Sequence, residues 1–173
     1  MSTALIGVDW GTTSMRLWHL APSGEIIARR RLDNGILAVE HGRFRETLQA
    51  ALEVPDKDSL APGTPILMCG MIGSRQGWIE APYVACPAAI GTLADHLQAV
   101  PDLADATIVP GVMVSADGRR DVMRGEETQI LGAGLDRGRR LVVLPGTHCK
   151  WVLLEDARIL AFATFMTGEA YQA

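Results

Sequence analysis

The sequence predicts a layered α/β fold that opens with an antiparallel meander, and three observations predict it. Residues 4–32 hold three apolar, β-rich stretches parted by polar turns. Farther on, strand-like and helix-like stretches alternate. The opening pattern then returns, in weaker form, near residue 141.

Ala4 to Val8 is an apolar run of β character, followed by Asp9-Trp10-Gly11-Thr12-Thr13-Ser14, a turn rich in Gly, Thr and Ser. Met15 to Leu20 supplies a second strand, Pro22-Ser23-Gly24 a second turn and Glu25 to Leu32 a third strand. Arg43 to Leu52 sets Phe44, Thr47, Leu48 and Ala51 at helical spacing. Pro55 to Pro65 reads as a loop that leaves Lys57 solvated. Ile66 to Cys69 reads as a buried strand, Gly70 to Pro87 as a shaped loop and Thr92 to Val100 as a helix. Thr107 to Val109 reads as a short strand. Glu126 to Leu135 is a helix closing on Gly134 or Gly138, and Leu141 to Leu144 is again a strand.

The repeat shows when Gly11 is set against Gly146. IGVDWGTTSMRLWHL then lies over LVVLPGTHCKWVLLE. With two residues deleted in the second copy, EIIARRRL lies over RILAFATF. Both copies read strand, Gly-Thr turn, strand, turn, strand. The predicted division is a first domain over residues 1–138 and the start of a second, incomplete one over 139–173. The second meander would lack helices to cover it, so self-association into a homo-oligomer is an expectation.

The chain has 173 residues, 48% of them hydrophobic, and a formal net charge of −4. That is enough apolar material for a core. The acidic balance argues against a nucleic-acid partner, which calls for a basic face. No apolar run approaches the roughly 18 residues of a membrane span. The opening residues carry no signal-peptide pattern, which gives a cytoplasmic expectation. Cys69, Cys86 and Cys149 form no CxxC pair and read as reduced thiols. Met68, Met71, Met113, Met123 and Met166 read as core fillers. His19, His41 and His96 read as structural or surface residues, and Arg29 to Arg31 as a solvated strand edge.

A Gly-Thr turn between antiparallel strands offers N–H groups and a hydroxyl to phosphate oxygens. Asp9, at the strand end, can hold Mg²⁺ through water. Two such turns would hold a polyphosphate from both sides.

This pairing resembles the actin-like ATPase superfamily of sugar kinases, heat-shock ATPases and actin. GMIGSRQGWIEAPYVACPA (Gly70 to Ala88), DVMRGEETQILGA (Asp121 to Ala133), LPGTHCKWV (Leu144 to Val152) and FMTGE (Phe165 to Glu169) are similar to the 2-dehydro-3-deoxygalactonokinase family, in its order and over nearly the whole chain. The resemblance implies an actin-like, ribonuclease H-like α/β domain: a mixed sheet that opens with a three-stranded antiparallel meander and is flanked by helices. It implies ATP and Mg²⁺ as cofactors. The implied reaction moves the γ-phosphoryl group of ATP to the 6-hydroxyl of 2-dehydro-3-deoxy-D-galactonate, in galactonate catabolism.

By the same resemblance, Asp9, Gly11, Thr12 and Thr13 form the first phosphate side and Gly146, Thr147 and His148 the second. Leu144 stands where the first copy has Asp9, so the second side lacks a carboxylate for Mg²⁺. Lys150 either brings positive charge to the phosphates or points to solvent. The proton acceptor is Asp121 or Glu126: the superfamily's use of Asp favours the first, position at the helix start the second. Glu126 and Glu127 also suit the helix dipole there. Arg75 and Arg124 are candidates for the substrate carboxylate. Gln76 and Trp78 are candidates to line the sugar pocket, with a packed aromatic as the other reading of Trp78. Arg16, across the first hairpin, reads as substrate-binding or structural. Two other functions fit the residues: a non-catalytic interaction module of the same fold, and a kinase for another sugar acid.

Overall fold

The computed structural model describes residues 2–53, 61–101, 103–116, 118–135 and 137–173, so Lys57 lies outside the described residues. The chain forms two compact units. One is Met1–Ala81 with Gln98–Val109, the other Pro82–Leu97 with Pro110–Ala173.

In the first unit β1 (Leu5–Trp10), β2 (Met15–Leu20) and β3 (Ile26–Leu32) form the expected antiparallel meander. β1 also pairs in parallel with β4 (Ile66–Cys69), which sets Asp9 beside Cys69. Two further strands, β8 (Leu103–Ile108) and β7 (Gln98–Val100), complete a six-stranded sheet of order β3-β2-β1-β4-β8-β7. Alternate residues of a strand face opposite sides, so Ile6, Val8 and Trp10 all enter the core while the residues between them do not. Helix α1 (Phe44–Leu52) contributes Phe44, Leu48 and Ala51 to that core. β3 is the sheet edge, as the arginine run suggested. Arg30 turns back from it to donate to the carbonyls of Ala51 (2.6 Å) and Glu53 (2.7 Å), satisfying acceptors at the end of α1.

The helix expected over Thr92–Val100 is not what forms. Helix α2 covers only Ile90–Ala94, and Gln98–Val100 is strand β7. Val100 is buried, and ladder pairing such as Gln98↔Ile108 outweighs the weak preference of a short helix.

In the second unit β5 (Tyr83–Ala85) lies inside the stretch that reads as a loop and pairs in parallel with β9 (Gly111–Ala116). β9 makes a hairpin with β10 (Arg119–Met123), and Gly118 at its turn has φ +74°. The second meander is β11 (Arg139–Leu144), β12 (Cys149–Glu155) and β13 (Arg158–Phe165), with β6 (Ala88–Ala89) beside β13. One of its faces is buried through Val152, Leu154, Ile159 and Phe162. The other leaves Leu141 59%, Val143 41%, Trp151 44% and Phe165 53% exposed. Helix α3 (Glu126–Gly132) is followed by Gly134 at φ +67°, the left-handed geometry that commonly follows a helix end. Helix α4 covers Thr167–Gln172.

The division expected at 138/139 falls inside the second unit. Met68 and Met123 are buried as expected, whereas Met166 is half-exposed, because it follows the last strand rather than lying within it. No described helix is long and apolar enough to cross a membrane.

Candidate functional site

The first Gly-Thr turn, residues 11–14, links β1 to β2 and is closed by Gly11 N–H donating to Ser14 O at 2.9 Å. Its carbonyls are taken from outside: Ile36 N–H donates to Gly11 O (3.0 Å) and Leu37 N–H to Thr12 O (3.2 Å). The N–H groups of Thr12 and Thr13 meet no protein acceptor among the described residues, and both residues are exposed. The turn therefore shows donors outward and holds acceptors inward, the polarity an anion requires.

Asp9 is the next-to-last residue of β1, the strand before this turn. Its Oδ2 accepts from Arg16 Nη1 at 2.9 Å. Gly70, at φ +90°, lies so close that a Cβ there would sit 2.9 Å from Trp10 O and 3.1 Å from Asp9 Oδ1. No group of three or more metal-ligating side chains occurs among the described residues, so Asp9 belongs to no such cluster. One carboxylate suits Mg²⁺, which keeps most of its waters.

The second turn, residues 145–148, links β11 to β12. Glu169 N–H donates to Thr147 O at 3.1 Å, and His148 Nε2 lies 3.3 Å from Glu169 Oε2. Lys150 does not point to solvent. It is 6% exposed and donates to Val122 O (2.6 Å) and Thr164 Oγ1 (2.7 Å), with Asp121 Oδ1 3.9 Å away. Its place one residue into β12, on the buried side, turns the ammonium inward where carbonyl and hydroxyl oxygens satisfy it. Asp121 belongs to the same cluster. Its Oδ1 accepts from Val122 N–H (2.8 Å) and Thr164 Oγ1–H (2.7 Å), and its Oδ2 from Thr164 N–H (2.7 Å).

Glu126 opens α3, is partly exposed, and accepts from Arg124 N–H at 3.0 Å. Glu127 is fully buried. Both its oxygens accept from Gly125 N–H (2.8 and 2.7 Å), and one from Thr128 Oγ1–H (3.1 Å). Burial pushes its carboxyl up to about 7, against the lowering effect of those hydrogen bonds. By its position in the first turn of α3, Glu127 reads from the sequence as a helix-dipole residue. The signal that it faces inward was its spacing of three from the buried Ile130.

The remaining candidates are spread out. Arg75 is exposed and pairs with Glu80 at 3.1 Å, and Gln76 is exposed beside it, its N–H donating to Ser74 Oγ at 3.3 Å. Trp78 packs against the first core and stacks on Phe44, ring centroids 6.3 Å apart, which is the packed-aromatic reading. Arg124 belongs to the second unit and lies over the Tyr83 ring, 4.4 Å from its centroid.

Comparison with known proteins places this architecture. The model of the 2-keto-3-deoxy-galactonokinase family matches residues 9–173. A curated Rhizobium meliloti (strain 1021) protein named "Probable 2-dehydro-3-deoxygalactonokinase" is 45% identical over 95% of this chain and 54% of its own length. The Escherichia coli (strain K12) 2-dehydro-3-deoxygalactonokinase is 37% identical over 99% of this chain and 56% of its own. The chain thus spans about half the length of the curated relatives it matches. A crystal structure from Sinorhizobium meliloti, provisionally described as a 2-dehydro-3-deoxygalactonokinase, superposes with TM-score 0.86 at 43% identity, over 97% of this chain and 55% of that one. An Aquifex aeolicus Ppx/GppA phosphatase, 14% identical, shares the fold alone at TM-score 0.52, over 96% of this chain and 53% of that one. The fold is of the actin-like ATPase class. With its family model matched from Asp9 to the last residue, this chain belongs to the 2-keto-3-deoxy-galactonokinase family.

Proposed function

We propose that this chain is part of an ATP- and Mg²⁺-dependent kinase that phosphorylates 2-dehydro-3-deoxy-D-galactonate at O6, and that residues 139–173 open its second actin-like domain. Membership of the family supports the reaction. The observation that carries the reading is the donor-outward turn at Gly11–Ser14 beside the Asp9 carboxylate. In this reading Thr12 and Thr13 donate to phosphate oxygens, and Gly146, Thr147 and His148 offer a second set of donors. Asp9 holds the water shell of Mg²⁺, which offsets phosphate charge.

Of the two candidate bases, Glu126 is better supported. Asp121 already accepts three hydrogen bonds and is tied to Thr164. Both its oxygens are thus occupied by protein donors rather than open to a substrate hydroxyl. Glu126 accepts the Arg124 backbone N–H and is partly exposed. Lys150 is taken as structural, and Arg124 as the better placed arginine for the substrate carboxylate.

The test is ADP release by the protein that carries this chain, with 2-dehydro-3-deoxy-D-galactonate and related keto-deoxy acids as acceptors. Release that requires both acceptor and Mg²⁺ is expected. Glu126→Gln should lower kcat by about 100-fold or more, the usual contribution of a general base, while Asp121→Asn lowers stability first. No release with any acid of the panel overturns the reading. The 173-residue chain alone should release little ADP.

A further inference from the structure

Gly35 lies outside every motif quoted from the sequence, and Gly168 is the glycine of FMTGE, to which no role was given. Each is the third residue after the last strand of its meander, counting from Leu32 and from Phe165. They are 133 positions apart, the offset that lays Glu25 over Arg158. A Cβ on Gly35 would sit 2.3 Å from Thr12 O and 2.4 Å from the carbonyl carbons of Thr12 and Thr13. A Cβ on Gly168 would sit 2.4 Å from Gly146 O and 2.9 Å from Thr147 Cα. Backbone strain does not explain either glycine. Gly35 has φ −71°, open to any residue, and Gly168 lies within α4. What both positions need is the missing side chain.

Each glycine also brings up donors. Ile36 and Leu37, just after Gly35, bond to Gly11 O and Thr12 O, and Glu169, just after Gly168, bonds to Thr147 O. Carbonyl oxygens in a turn repel an anion. Bonding them from behind holds them away from the ligand side and fixes the N–H groups before the ligand arrives.

We infer that Gly35 and Gly168 are equivalent positioning residues, each bracing the Gly-Thr turn of its own unit in the form that binds a polyphosphate. The inference rests on the phosphate role of the turns proposed above and goes beyond it by naming what shapes them. Gly91, with nothing within 4 Å of its would-be Cβ, is the neutral comparison.

The experiment titrates the ¹⁵N-labelled chain with inorganic tripolyphosphate and follows amide shifts at Thr12, Thr13, Thr147 and His148. Gly35→Ala should weaken binding read at Thr12 and Thr13 about tenfold or more and leave Thr147 and His148 unchanged. Gly168→Ala should do the reverse, and Gly91→Ala neither. Unchanged binding at the variant's own turn, or equal loss at both turns from either variant, overturns the inference. No shift at either turn of the unsubstituted chain instead overturns the phosphate role itself. Should an alanine variant fail to fold, amide exchange of the unsubstituted chain decides. Protection of Ile36, Leu37 and Glu169 well above random-coil rates supports the brace, and random-coil exchange there removes it.

Discussion

β1 and β11 open matching meanders, yet their surroundings differ. β1 has a strand on each side, β2 and β4, and buries Ile6, Val8 and Trp10. β11 is a sheet edge whose Leu141 and Val143 are largely exposed. Asp9 is the next-to-last residue of the first strand, and Leu144 is the last of the second. Both turns nevertheless have a glycine packed against them and a carbonyl bonded from the same side. The brace has thus been kept while the core and the charge diverged. In this molecule the local shape of the turn depends on a few backbone contacts, and the surrounding sheet determines stability.

The largest test of that contrast is Trp10→Ala. Trp10 is fully buried, meets Phe44 edge-on at 5.8 Å and donates its indole N–H to Asn34 O at 3.0 Å. Its truncation should cost about 3–5 kcal/mol in urea unfolding. A cost below about 1 kcal/mol would mean that the first meander is no better anchored than the second.

Next comes Glu127, which asks how dry the second unit is. Its carboxyl is raised from 4.5 to about 7, so the fold favours the protonated form. The associated stability is complete below pH 4.5 and is lost as pH rises through about 7. The change is roughly 3 kcal/mol. Glu127→Gln should flatten that decline in a series of melting curves, and an unchanged pH profile would show that water reaches the carboxylate.

The smallest effect is expected from Trp151→Ala on the exposed face of β12. It should change stability by less than about 0.5 kcal/mol. A loss comparable to that of Trp10→Ala would show that something covers this face in solution.

Much of the fold was legible because period-two burial and turn residues speak locally. The opening meander, α1, the Gly134 stop of α3 and both Gly-Thr turns follow from residues within a few positions of one another. β7 was misread because its partner, β8, is what makes Gln98–Val100 extended, and a helical spacing there carried no such information. The β9–β10 hairpin did leave a local mark, the Asp-Gly pair at 117–118 in the sequence, a recognised hairpin signal. The bracing role left none: Gly168 sits in FMTGE, but it and Gly35 act through chain segments more than twenty residues away. Lys150 and Asp121 looked like groups for a ligand because charge usually seeks water or a partner. Thr164, the partner they share, and the Val122 carbonyl that Lys150 reaches lie on other strands, distant in sequence.

That buried lysine also makes part of the second unit behave as a lever. Its ammonium hangs from β12, three residues past Thr147, and grips the carbonyl of Val122 at 2.6 Å. Val122 is four residues before Glu126. A ligand that pulls the Thr147 turn along the axis of β12 must either stretch this grip or drag β10 with it. The force then arrives at the start of α3, where the carboxylates are.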